Sequence, residues 1–129
     1  MLPFTVRFRA GLSVSEQVLY AVRKAIATGQ LRPGDAFPSV RVLSQELRIN
    51  PNTAHKVVAA LVAEGLLEVR PGLGTAVAAA PAPSKAVRRQ LLGDDVERLV
   101  VDAKMLSLDL IDVLGAVEAH WQRLQRGKP

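Results

Sequence analysis

Arg48-Ile49-Asn50-Pro51-Asn52-Thr53-Ala54-His55-Lys56-Val57-Val58 crowds hydrogen-bonding side chains at the start of an apolar-periodic segment. Asn50 is a good N-cap, and Pro51 fills the first helical position, where its missing N–H costs nothing. Ala54, Val57, Val58 and Leu61 then recur at helical spacing, so the stretch predicts a helix ending near Gly65. A helix start needs only one cap. The remaining polar groups would serve either a partner outside the protein or a capping turn and nothing more.

Outward from this stretch, Ser39 is a good N-cap for a short helix near 39–48, with Val40, Leu43 and Leu47 on one face. Only about three residues separate it from the helix at Asn50, a turn that sets two helices at a steep angle and leaves the second protruding. Upstream, Ser13 and Glu16 have capping-box spacing, and Val18, Leu19, Val22, Ala25 and Ile26 predict a first helix over roughly 14–28. PFTVRF, residues 3–8, reads as strand-like, and QLRPGDAFPS, residues 30–39, as a connection with a Pro33-Gly34 turn. Downstream, residues 66–70 and 75–77 read as two short strands around the turn Pro71-Gly72-Leu73-Gly74. Three helices and a hairpin in this order predict a winged helix-turn-helix.

AAAPAPSK, residues 78–85, is Ala/Pro-rich and reads as a stiff linker. Beyond it Leu92, Val96, Leu99, Ala103, Leu106, Leu110, Val113, Val117, Trp121 and Leu124 recur at spacings of three and four, a stripe that must be buried against something. Ser107, with Asp109 behind it, marks a new N-terminus, so helices are expected over roughly 85–104 and 108–126. The expected fold is mainly α with a small β-hairpin wing: a winged helix-turn-helix over 1–78, a linker over 79–84, and a two-helix dimerisation region over 85–129.

Composition bounds the function. A chain of 129 residues with 49% hydrophobic and 22% charged residues describes one folded unit with, at most, an appendage. No apolar run approaches a membrane span, and the first residues carry charges where a signal peptide is apolar, so a soluble intracellular protein is expected. The absence of Cys excludes disulfides and thiolate chemistry, and two separated His, His55 and His120, make a metal cluster an unsuitable reading. No catalytic set of Ser, His and Asp, carboxylate pair or phosphate loop stands out, so neither an enzyme nor a cofactor is expected. Net charge is +5. Residues 1–78 hold nine Lys and Arg against five Asp and Glu, a net +4, so the basic excess lies beside the motif.

At 100° per residue, burial of Ala54, Val57, Val58 and Leu61 leaves Asn52, Lys56, Ala59 and Ala63 on the opposite face, flanked by Thr53 and His55. Polar and cationic groups cluster at the N-terminal end, and methyl groups continue beyond, giving a slim helix able to enter a major groove ~12 Å wide. Asn52 suits adenine or phosphate, Thr53 phosphate, and Lys56 phosphate or guanine. Arg41, early in the preceding helix, is either a solvated surface charge or, since the first helix of such a pair crosses the backbone, a phosphate or base-edge contact.

Gly29-x-Leu31-x-Pro33-Gly34-Asp35-x-x-Pro38-Ser39-x-Arg41-x-Leu43-Ser44, followed by Ile49-Asn50-Pro51-Asn52-Thr53 and Glu64-Gly65-Leu66, resembles the DNA-binding domain of the GntR family of bacterial transcription regulators. The resemblance covers about residues 12–78, and the short tail resembles the YtrA-like branch. It implies DNA contacts from Arg41, Asn52, Thr53, His55 and Lys56, and a wing-tip minor-groove contact at Gly72, with Arg70 the one cation near the wing glycines. It also implies a bacterial cytoplasmic protein. Together the readings predict a regulator, a repressor acting as a homodimer through its C-terminal helices on double-stranded DNA with an inverted-repeat operator. The rival reading is a winged-helix protein–protein interaction module.

Overall fold

The computed structural model describes residues 1–79 and 84–125, which fall into two units, one on either side of residues 80–83. Most of the linker expected over 79–84, and the last four residues of the tail, lie outside the described residues. In the first unit α1 (Val14–Ala27), β1 (Ala36–Phe37), α2 (Val40–Leu47), α3 (Pro51–Ala63), β2 (Leu67–Arg70) and β3 (Gly74–Val77) follow in order. Each helix starts where a side chain can take up an orphan amide. Ser13 Oγ accepts from the Glu16 amide at 3.3 Å and Ser39 Oγ from the Val42 amide at 3.2 Å.

The apolar faces of the three helices close on one core, in which Val18, Val22, Leu43, Ala54, Val57 and Leu61 have no exposed surface. Burial of the Val and Leu side chains contributes roughly 1.5–3 kcal/mol each. Leu31, Phe37, Leu67 and Val77 extend this core under the sheet. On the surface, Arg23 of α1 pairs with Glu64 at the end of α3.

The wing is a three-stranded antiparallel sheet of order β1-β3-β2, where the sequence indicates only a hairpin. Ala36 and Phe37 pair with Ala76 and Thr75, and the preceding turn is laced to the same strand by Gly34 N–H to Val77 O and Val77 N–H to Asp35 O, both 2.8 Å. The expected strand at 3–8 does not form: this segment has no ladder partner among the described residues. Phe4 is held instead by its ring, buried and stacked on Phe37 with centroids 5.8 Å apart.

The second unit is helical: α4 (Lys85–Gln90), a π-helical turn (Leu91–Asp95), α5 (Val96–Met105) and α6 (Leu110–Arg123). The π turn interrupts what the sequence predicts as one α-helix, and it contains Gly93. One extra residue per turn shifts the phase of every side chain downstream. Before α6, Ser107 takes a positive φ of 60° and Asp109, not Ser107, caps the helix, its N–H donating to Asp112 Oδ2 at 2.9 Å. Ala103 is the one buried side chain among the described residues of this unit. Trp121 is 73% exposed and Ile111 77%. No helix among the described residues is long and apolar enough to cross a membrane.

Candidate nucleic-acid interface

The geometry of the helix pair is set by local chemistry at residues 44–54. α2 ends in a left-handed residue, Arg48 at φ 54°, with Arg48 N–H donating to Gln45 O at 3.3 Å and Ile49 N–H to Ser44 O at 3.0 Å. These two bonds close a Schellman motif, which satisfies the last carbonyls of α2 and reverses the chain. Asn50 then caps α3: its Oδ1 accepts from the Asn52 amide at 2.8 Å, and its carbonyl from the Ala54 amide at 3.1 Å. Asn50 is therefore consumed by structure, as its position requires.

Beyond the cap, Ala54, Val57 and Leu61 are buried while Asn52, His55, Lys56, Ala59 and Ala63 are exposed and Thr53 is half-buried. The outward face of α3 is polar at its N-terminal end and narrow along its length. The side chains of Asn52, Thr53, His55 and Lys56 make no hydrogen bond or ion pair among the described residues, and neither does that of Arg41, exposed in the first turn of α2. Arg48 is likewise exposed and unpaired. Its place is not legible in the sequence, although it stands in the same motif, because a left-handed position carries a signal only when Gly or Asn occupies it.

Three carboxylates of this unit have partners away from the helix-turn-helix face. Glu46 pairs with the N-terminal ammonium, Glu64 with Arg23 and Glu68 with Arg70. Arg41, Arg48 and Lys56 stand in no ion pair among the described residues and are open to an outside anion. The start of α3 adds the positive end of the helix dipole. Among the described residues no group of three or more His, Asp or Glu is arranged to hold a metal ion.

At the wing the structure differs in character. Pro71 and Gly72, with Gly72 at φ 76° and Leu73 N–H donating to Arg70 O at 2.9 Å, form the turn between β2 and β3. A proline followed by a positive-φ glycine is the type II signature. Arg70 is turned onto Glu68 on the same strand. The outermost wing residue, Leu73, is 82% exposed and apolar. Arg41, Asn52, Thr53, His55 and Lys56 thus belong to one helix-turn-helix, while Arg70 and Gly72 stand apart on the hairpin.

Residues 14–77 match the family described as bacterial regulatory proteins, gntR family. The chain is 28% identical over 103 residues to the HTH-type transcriptional repressor YtrA of Bacillus subtilis, covering 79% of each. It is 30% identical over 108 residues to the HTH-type transcriptional regulator YhcF of the same organism, covering 83% of this chain and 85% of that one. Its fold matches the crystal structure of a transcriptional antiterminator from Listeria monocytogenes with a TM-score of 0.85 at 20% identity, over 98% of this chain and 95% of the other. The helix-turn-helix, its wing and these relatives lead to one conclusion: the chain belongs to the gntR family of bacterial regulatory proteins, as a winged-helix DNA-binding regulator of transcription.

Proposed function

We propose that this regulator is a repressor that works as a homodimer, reading an inverted-repeat operator with α3 of each protomer. The observation that carries the reading is the outward face of α3, where Asn52, Thr53, His55 and Lys56 stand without partners above a fully buried apolar back. Lys56 supplies a phosphate contact, and Arg41 and Asn52 each a base-edge or phosphate contact. His55 and Thr53 flank these at the groove edge. Gly72, and Arg70 once released from Glu68, approach the neighbouring minor groove. Occupancy of the operator excludes polymerase and needs no catalysis, in keeping with the repressor named among the relatives.

The dimer is supported by the second unit. Leu92, Leu99, Leu106, Leu110, Val117 and Trp121 are all exposed, an apolar surface that water disfavours and a second copy can cover. Purified full-length protein selecting from a random duplex pool tests the whole reading. Enrichment of a two-fold symmetric sequence, with half-sites about 10 bp apart or a multiple of that, is the expected result. Enrichment of a single asymmetric site would remove the dimer, and no enrichment would favour a protein-interaction role for α3.

A further inference from the structure

Residues 5–13 run beside α1 and enclose with it a groove of about 610 Å³, away from the helix-turn-helix motif. That lies inside the range of roughly 300–1,000 Å³ typical of small-molecule sites. The groove is built rather than incidental. Gln17 reaches out of α1 to hold its outer wall: Oε1 accepts from the Arg9 amide at 2.7 Å, and Nε2 lies 3.2 Å from the carbonyls of Arg9 and Leu12 and 3.4 Å from that of Ser13. Gly11, at φ 83°, provides the bend that this latch requires.

The lining is mostly apolar, from Val6, Leu12, Ala21 and the ring of Tyr20, which is 61% exposed. Arg7, Arg9 and Lys24 also line it, against the single carboxylate of Glu16. None of these four charged groups forms an ion pair among the described residues. A neutral apolar molecule would cover the floor and leave the cations without a counter-charge. An inorganic anion would satisfy the cations and leave the floor wet. We propose that the groove is a binding site for a small organic anion, a carboxylate or phosphate monoester carried on an aromatic or aliphatic body, with Tyr20 against the body and Arg7, Arg9 and Lys24 around the head. Its inner wall is the outer face of α1, whose opposite face packs Val18 and Val22 into the same core as Val57 and Leu61 of α3.

The test uses the full-length protein, isotopically labelled and without DNA, titrated with benzoate, phenyl phosphate and octanoate. Benzyl alcohol and inorganic phosphate serve as controls. At least one of the three organic anions is expected to give saturable shifts of the Gln17 side-chain amide and of the backbone amides of residues 9–24. Lys24→Gln and Arg9→Gln, both at exposed positions, are expected to weaken that binding by about tenfold, and the controls to bind more weakly by a similar factor. Failure of all three anions to saturate these resonances would overturn the proposal. So would equal binding by both variants, or inorganic phosphate binding as well as phenyl phosphate. Because no DNA is present, the result stands or falls separately from the operator reading.

Discussion

Arg70 places both its Nε, at 3.1 Å, and one terminal nitrogen, at 2.8 Å, on a single carboxylate oxygen of Glu68. The two residues are two apart on β2, so their side chains share a face of the strand. The pair is half-exposed and adds little stability, but it neutralises the cation nearest the wing tip. Glu68→Gln is therefore expected to tighten binding to all duplexes a few-fold and to steepen the dependence of log K on log salt by about one unit. Arg70→Ala in the otherwise unchanged protein removes that cation and leaves Glu68 unpaired, so it should weaken binding instead. Anisotropy titrations across salt concentrations read both variants, and an unchanged slope in Glu68→Gln would show that the wing stays away from phosphate.

Across the helix-turn-helix, Lys56 and Asn52 of α3 and Arg41 of α2 should separate by kind. Lys56→Ala is expected to weaken binding to every sequence and to reduce the salt slope by about one, as loss of a phosphate contact does. Arg41→Ala and Asn52→Ala should each cost about 1–3 kcal/mol, mainly on the preferred site. Competition with random duplex separates the two behaviours. Unchanged affinity in all three variants would remove α3 as the reading element.

The helix-turn-helix was legible because its determinants are local. Ser39, Asn50 and Pro51 each act on amides within four residues, and the periodicity of Val57, Leu61 and their neighbours needs only one chain segment to be seen. What escaped the sequence depends on distant partners. β1 is two residues long and exists only through Ala76 and Thr75, nearly forty positions away. PFTVRF has strand-forming residues, yet its role is set by where Phe37 lies. The pairing of Glu68 with Arg70 is legible in principle, since a strand puts alternate residues on one face, but a cation beside wing glycines suits DNA equally well in the sequence.

Asn50 separates folding from binding. Asn50→Ala removes the acceptor of the Asn52 amide and is expected to destabilise the fold by about 0.5–2 kcal/mol in denaturant titrations. Asn50→Asp keeps an acceptor and complements the helix dipole, so stability should be retained. The added negative charge beside the proposed phosphate contacts should nevertheless weaken DNA binding. Equal affinity for the Asp variant and the original protein would place the helix start away from the DNA backbone.

Phe4 tests the anchoring of the N-terminal segment. Its buried ring stacks on Phe37 at an interplanar angle of 7°, so Phe4→Ala should destabilise by about 3–5 kcal/mol, the range for a truncated core aromatic. Substitution of the exposed Phe8 should cost far less. Thermal unfolding distinguishes the two. Similar losses would mean that the segment is held along its length and not by one ring.

The tail gives the most consequential prediction. A chain ending at Pro83 retains every residue of the core shared by the three helices and the sheet, and it loses every exposed apolar residue from Val87 to Trp121. It is expected to fold, to sediment as a monomer, and to bind one half-site weakly, because the second set of contacts and the effective concentration supplied by linkage are gone. Full-length protein should sediment as a dimer and favour the full operator over a half operator. Trp121→Glu in the full chain sets a charge on the apolar stripe without shortening it, and should shift the equilibrium towards monomer while leaving half-site affinity intact. A monomeric full-length protein, or a truncated one that binds the full operator as tightly, would assign the tail a task other than pairing two recognition helices.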